Sequence, residues 1–407
     1  MRAESKVINA VCRNKDLVSV MTADIDDLFI THRDIWNGVK NYYSKHGSVP
    51  DASVVQEQFR DFDIEDVPGE TTYYVDMLRD EYINSGIESI LREELPQHGK
   101  IPAAHLLESL TQKLSALNKT ATRVSDIDIT DYEAAMRDME SKRKRAEEMG
   151  GSPGIPSGFK VMDTFFPTGM AGGHYIVLIG WSGRGKSWMA NLLACKAWDA
   201  GFKPMIVSLE MTPEEQRERI YTIMGSGLFS NYDFGRGSVN IEQFESWGKN
   251  HLKNKHPFTI ISSAGHSKIS PGMIQTKIDK HRPDIVFVDY QQLLDDDEGN
   301  AQETQKNKNI SRGLKRMATR NEIPVVNLTQ ATQNEVDDVN YPPQINQVAW
   351  SRSIEHDANL ALAVHKYPND PGEVSVFDIV CRKNRHGELF EFSLDWRINE
   401  GVVTERI

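Results

Sequence analysis

Cysteine is scarce in this chain, and the three present, Cys12, Cys195 and Cys381, are scattered with no C-x-x-C pair. That excludes a disulfide framework and a thiolate zinc site, and it points to buried thiols in a reducing compartment. Long apolar runs are missing as well. No stretch approaches the roughly 20 residues that a membrane helix needs. The opening residues, MRAESKVINAVCRNKD, carry no apolar signal core. A cytoplasmic protein without membrane contact is the expectation. Basic charge is in deficit, with 47 Lys and Arg against 59 Asp and Glu and a net charge of −12. A protein coated in basic residues is excluded, whereas a channel lined by a local positive patch is not. The 407 residues suffice for two or three domains with a sizeable core.

What the chain does have is concentrated between Tyr175 and Asp199. The short β-branched run Tyr175–Ile179 reads as a buried strand. It is followed by Gly180-Trp181-Ser182-Gly183-Arg184-Gly185-Lys186-Ser187, a complete G-x-x-x-x-G-K-[ST] phosphate loop. Ala190, Leu193, Ala194 and Ala197 then recur at helical spacing. Three glycines let the backbone curl so that its N–H groups face a phosphate, and the helix adds the positive end of its dipole. Lys186 is placed to reach the β- and γ-phosphates, and the Ser187 hydroxyl to hold Mg²⁺. The cofactor-binding candidates are Gly180, Ser182, Gly183, Arg184, Gly185, Lys186, Ser187, Trp188 and Arg219, with ATP or another NTP as the nucleotide.

Residues 1–122 read as a helical domain. Thr31–Asp34 starts one helix, with Gly47 and Pro50 as its stop signals. Asp51–Phe59, Thr71–Leu95 and Pro102–Leu117 are expected as further helices. Their apolar stripes are what the core of a small bundle requires. Residues 123–158 read as a linker. In Asp131–Met149, five basic residues sit among six acidic ones, so a solvated helix face is preferred over a nucleic-acid patch. Gly150–Pro156 breaks that helix. Ala134, Ala135 and Met139 are its few apolar residues for docking on a partner.

Residues 159–407 alternate strand and helix, which predicts a mainly parallel sheet covered by helices and ended by a hairpin. Pro204–Leu209 is a strand ending at Glu210, and Thr212–Glu215 is a capping box with proline at the first helical position. A carboxylate at a strand's C-terminal end is where such sheets place their chemistry. Glu210 is thus a candidate to orient or deprotonate an attacking water, the alternative being a surface Glu beside a helix start. Asp284–Asp289 is a second apolar strand of Walker-B form, with Asp289 as metal candidate opposite Ser187. Pro324–Leu328 ends at Thr329 and Gln330, and a polar residue there is placed to sense the γ-phosphate. Val374–Cys381 and Glu388–Leu394 are expected strands joined by a basic tip. Lys383 and Arg385 there either keep an edge turn soluble or reach a neighbouring subunit's phosphate.

These pieces, in order, resemble the hexameric replicative DNA helicases of the DnaB family. The matching sets are Gly154–Phe159, the phosphate loop, Ser208–Met211, Val288–Leu293, Ile310–Lys315, Pro324–Gln330, Ser353–Ala358 and Lys383–Gly387. The resemblance covers nearly all of residues 150–395, and the helical N-terminal part is similar only in layout. It looks like a shortened bacteriophage-type version. The resemblance implies a RecA-like core, a homo-hexameric ring and movement on single-stranded or forked DNA. It implies that Lys186 and Ser187 serve phosphate and Mg²⁺, Glu210 is the base, and Asp289 joins the metal shell. Gln330 would couple hydrolysis to DNA, and Lys383 with Arg385 would serve the adjacent subunit's ATP. The linker helix would dock on the next subunit, and the N-terminal bundle would form a collar that contacts a primase or a helicase loader.

This chain departs from the family pattern at the DNA loops. Ala349, Trp350 and Arg352 stand where the family carries a basic–acidic–small set, and Leu294–Glu298 is acidic. Arg352, Lys306 and Lys308 are the residues left for DNA, with exposed loop surface as the competing reading. Two rivals share the core: a recombinase that coats DNA as a filament, and an ATP-gated scaffold that carries primase. The set Lys186, Glu210, Asp289 and Arg385 argues against the scaffold, which has no need of a residue supplied in trans.

Overall fold

A computed structural model describes the chain apart from residues 1, 24, 104–105, 107–108, 111–112, 115–116, 118–128, 150, 254, 263–268, 297–301, 333–338, 349–350, 369–373 and 407. The chain forms two compact units, residues 1–135 and 136–407. Their boundary falls inside the helix Tyr132–Glu148, within the segment read as a linker.

The first unit contains the helices Arg2–Asn14, Leu17–Ala23, Arg33–His46, Ala52–Gln58 and Thr71–Glu94. They close on Val7, Val11, Leu28, Trp36, Val39 and Leu78, all buried. Trp36 stacks on Phe29 and donates its indole N–H to Asp26 at 2.7 Å. Gly47 ends its helix at φ 69°, the left-handed cap that its position predicts. Thr71–Glu94 buries only the first half of its expected stripe, because Tyr74, Val75 and Leu78 are covered while Leu91 is 42% exposed. The expected helix at 102–117 lies partly outside the described residues.

The second unit is built on one nine-stranded sheet. Its strands are β1 (Tyr175–Gly180), β2 (Pro204–Ser208), β3 (Thr259–Ser262), β4 (Ile285–Asp289), β5 (Val325–Gln330), β6 (Leu360–Lys366), β7 (Ser375–Asn384), β8 (Glu391–Arg397) and β9 (Val402–Arg406). The order across the sheet is β3-β2-β4-β5-β1-β6-β7-β8-β9. The pairs from β3 to β6 are parallel, and those from β6 to β9 antiparallel. β1 and β4 are buried along their whole length, as parallel strands covered on both faces must be. One face packs on Met189, Leu193 and Ile220 of the helices Lys186–Asp199 and Pro213–Gly225. The other packs on Ile274, Ile278, Ile310 and Leu314 of Pro271–His281 and Glu303–Asn321.

The expected C-terminal hairpin is therefore an antiparallel extension reached through β6. Its first strand is longer than the sequence implied. β7 runs to Asn384, which puts Lys383 in the strand and moves the turn to Arg385–Phe390. The register fixes two distinct edges. Ser208 pairs with Asp289 and Gly180 with Gln330, so the strands deliver these residues to one edge. At the opposite edge, Leu360 pairs with both Ile176 and Asn384.

Candidate nucleotide-binding site

The phosphate loop leaves the C-terminal end of β1 at the first of these edges. Gly183 and Gly185 take φ 69° and φ 92°, a conformation that favours glycine, and Lys186 begins the helix. Gly180 serves differently from the expected curl. It is the last residue of β1, and a Cβ there would meet Lys186 Cγ at 2.6 Å and the Val364 carbonyl at 2.8 Å. Lys186 Nζ donates to the carbonyls of Gly180 at 3.1 Å and Trp181 at 2.9 Å. Burial pushes the Lys186 ammonium down to about 8, against the pull of Asp289 and Glu210. Arg184 pins the loop to the end of β6: its carbonyl accepts from Lys366 N at 3.1 Å.

Asp289, at the end of β4, is 3% exposed. Its Oδ1 has no hydrogen-bond partner within the protein, and the Ser187 hydroxyl bonds to the same carboxylate. Burial raises its carboxyl to about 6. A buried carboxylate with an open oxygen beside a hydroxyl suits Mg²⁺, which takes few protein oxygens and completes its shell with phosphate and water. Among the described residues, no group of three or more His, Cys, Asp or Glu is arranged to hold a metal ion. Glu210 lies exposed two residues beyond β2, and its charge acts on Lys186, Arg219, Asp289 and Tyr290. Arg219 stacks on the Trp188 ring at 5.0 Å, and Trp188 meets Trp396 edge-on. The structure thus brings together Lys186, Ser187, Glu210, Asp289, Arg219 and Trp188 from four separate stretches of sequence.

A cavity of about 670 Å³ opens beside the loop, lined by Trp181, Ser182, Arg184, Tyr290, Gln292 and Gln330 among others. Gln292 clasps the Gln330 backbone, donating to its carbonyl at 3.2 Å and accepting from its N–H at 3.4 Å. Sequence alone assigns Gln292 no role, although its place three residues after Asp289 is legible there. Trp181 was likewise unassigned; its indole donates to the Tyr341 carbonyl at 2.9 Å.

Lys383 and Arg385 are not part of this constellation. They sit at the opposite edge of the sheet, where Lys383 Nζ donates to the Glu355 carbonyl and Arg385 to that of His356. Burial and the neighbouring Arg385 push the Lys383 ammonium down to about 8. The DNA candidates are dispersed. Lys306 is held by Asp295 at 2.9 Å, so it is not the free cation that the sequence offered. Lys308 is half-buried on the helix Glu303–Asn321, and Arg352 is exposed on the helix Ser351–Asp357. Ala349, Trp350 and most of the acidic run after Asp296 lie outside the described residues.

The family model described as the DnaB-like helicase C terminal domain matches residues 154–401. The chain belongs to the DnaB-like helicases. It is similar to a probable plasmid replicative DNA helicase of Chlamydia psittaci, with 24% identity over 83% of this chain and 78% of that protein. It is also similar to the replicative DNA helicase DnaB of Helicobacter pylori (strain 26695), with 23% identity over 69% of this chain and 57% of that one. Against the Chlamydia muridarum plasmid helicase it spans about half of the relative, 53%. Among solved structures, one of an ATPase domain alone matches 69% of this chain and all of its own, with a TM-score of 0.58 and 20% identity. A DnaB-like replicative helicase described with its primase interactions matches 99% of both chains, with a TM-score of 0.55 and 19% identity. Both likenesses concern the fold: a RecA-type ATPase sheet, preceded in the second by a helical region.

Proposed function

We propose that this chain is an ATP-driven replicative DNA helicase that works as a homo-hexameric ring on single-stranded or forked DNA. The observation that carries the reading is the separation of Lys383 and Arg385 from the phosphate loop. β1 spans roughly 16 Å from Tyr175 to Gly180 at the rise of an extended strand. The basic pair lies level with its start and the loop with its end. Neither side chain reaches the nucleotide of its own subunit. A neighbour stacked head to tail would present its own nucleotide to them, and such stacking gives a ring where the rotation closes and a filament where it does not.

In the reaction, water attacks the γ-phosphorus, the bond to the β–γ bridging oxygen breaks, and the water proton passes to Glu210. Lys186 and the loop N–H groups balance charge on the β- and γ-phosphates. Ser187 and Asp289 would hold Mg²⁺, which neutralises phosphate charge when bound. Arg219 on Trp188 offers a flat cationic face beside the helix start. The neighbour's Arg385 and Lys383 meet the charge that grows in the transition state. Gln330, on a cavity beside the loop, is placed to pass the state of the nucleotide to the segment after β5.

Tyr132, Met136 and Met139 share one face of the helix Tyr132–Glu148 and are 71%, 49% and 64% exposed, which favours docking on another subunit. The division into domains 1–122, 123–158 and 159–407, a collar role for the first with primase or loader contacts, and 5′-to-3′ travel are part of the same reading. No helix among the described residues is long and apolar enough to cross a membrane, and a cytoplasmic place follows from the proposed role. Family membership favours the helicase over a filament-forming recombinase. The test is unwinding of a labelled fork with ATP and Mg²⁺. Arg385→Ala is expected to lose about 100-fold or more in turnover and all strand separation, yet still bind ATP. DNA-stimulated hydrolysis without strand separation on any fork would favour the scaffold.

A further inference from the structure

Four buried polar side chains on one face of β1 take no part in the chemistry described above. Gln291, Asn327, Tyr175 and Ser311 are each 0% exposed. Apolar residues such as Val177, Ile310 and Leu314 surround them, with the buried Asn307 at the Gln291 end. They form a connected run. Asn327 donates its amide to Gln291 Oε1 at 2.6 Å and to Tyr175 Oη at 2.8 Å. Gln291 donates its own amide to the Asn307 carbonyl at 3.0 Å, which fixes its orientation. Ser311 lies within hydrogen-bonding reach of the Tyr175 phenol. Ser311 in turn donates to Asp357 Oδ2 at 3.0 Å.

The two ends of the run carry the argument. Gln291 is the second residue after Asp289, at the nucleotide edge. Asp357 closes the helix whose last carbonyls, Glu355 and His356, hold Lys383 and Arg385. The backbone makes the same link in parallel: Arg385 N donates to the Asn359 carbonyl at 2.9 Å, and Asn359 N to that of Tyr175 at 2.7 Å. Apolar side chains would fill this layer without the desolvation that four polar ones suffer. Asn327 Oδ1 is left without a partner, yet every link of the run is made, and connected buried hydrogen bonds of this kind hold one geometry. We infer that the run Gln291–Asn327–Tyr175–Ser311–Asp357 positions Lys383 and Arg385. The metal-side strand end of one subunit then sets how its basic pair meets the next subunit's nucleotide. The five are positioning residues, since they act on nucleotide only through that pair. The inference rests on the shared site proposed above.

The test uses the full chain and subunit mixing. Wild type, Tyr175→Phe, Ser311→Ala and Arg385→Ala are each measured alone, then co-assembled with an excess of Lys186→Ala chains. The excess chains have a disabled phosphate loop and a sound basic pair. Alone, Tyr175→Phe is expected to lose about 10-fold in kcat with KM for ATP nearly unchanged, the mark of a misplaced transition-state group. In the mixture its nucleotide faces a sound neighbour, and turnover per tested chain should equal that of wild type in the same mixture. A Tyr175→Phe defect that persists in the mixture belongs to its own site and overturns the inference, as does normal turnover alone. If Tyr175→Phe melts early, Ser311→Ala breaks the next link and decides by the same readout. Arg385→Ala separates the two claims. If it is not rescued, the shared site itself fails; if it is rescued and Tyr175→Phe is not, only the positioning role falls.

Discussion

Lys186 and Asp289 are both charges taken out of water, and burial acts on them in opposite directions. The Asp289 carboxyl rises from 3.8 to about 6, so between these values the folded protein holds more protons than the unfolded one. Stability therefore falls as pH rises through that window, and above pH 6 the full penalty applies, about 3 kcal/mol at most. Asp289→Asn removes it. Metal-free protein carrying Asn is expected to gain about 1–3 kcal/mol at pH 7.5, read by thermal melts, to lose that gain below about pH 4, and to lose ATP hydrolysis. His174 shows the reverse sign. Burial, with His386 and Lys315 nearby, lowers it from 6.5 to about 4, and its Nδ1 accepts from Ala171 N at 3.1 Å. Between these values the unfolded chain holds more protons, so stability climbs with pH and is lost on acidification through pH 4. His174→Phe should flatten the pH 4–6.5 part of the melting profile, worth about 2–3 kcal/mol. Most loop residues were legible in the sequence because their chemistry is local. Lys306 was not, because Asp295 reaches it only after the chain turns back.

Among the elements, the helix Pro213–Gly225 joins local signal to site. Thr212 Oγ1 accepts from Glu215 N at 3.2 Å, and Glu215 Oε2 accepts from Thr212 N at 3.0 Å. Glu210 precedes this cap by two residues and Arg219 lies in the helix's second turn, so the cap fixes the start of the segment that carries both candidates. Thr212→Ala should lower stability by about 1 kcal/mol in urea unfolding, with Thr212→Ser recovering most of it. This cap was visible in four consecutive letters, as were β1 and β4, whose apolar runs are continuous, and β5, whose run is broken only by Asn327. Three other strands were not. β3 is four residues long and only half-buried. β6 reads LALAVHK, and two of its seven residues are alanines, which favour helix. β9, VVTER, is short and half polar. The end of β7 was misread because a basic run looks like a turn. Here Arg382 is held instead by its side chain, which donates to the carbonyls of Pro343 at 3.0 Å and Pro342 at 2.9 Å.

Across the second unit, the parallel strands carry two candidate residue sets at their two ends. One end has the loop, Ser187, Glu210 and Asp289, and the other has Lys383 and Arg385. A motif scan names both sets, but only the register separates them, since Asn384 pairs with Leu360 and Leu360 with Ile176. Sequence order carries no sign of that separation, because β6 (from Leu360) enters the sheet beside β1 (ending at Gly180) only after 179 intervening residues. On the proposed shared-site reading, a chain alone holds two incomplete sites and no complete one. Turnover per chain should then depend on chain concentration, a dependence that a self-contained ATPase lacks. Diluted from micromolar to nanomolar at saturating ATP and Mg²⁺, the wild type should lose at least about 10-fold in specific activity, because a transition-state cation in trans is worth far more than that. Mass measurements on the same dilutions should show the loss tracking dissociation. Arg385→Ala, already lacking the contribution from the neighbour, should change little over the same range. A wild-type activity that stays constant while the assembly falls apart would mean that each subunit hydrolyses ATP unaided, and the head-to-tail arrangement would have to be abandoned.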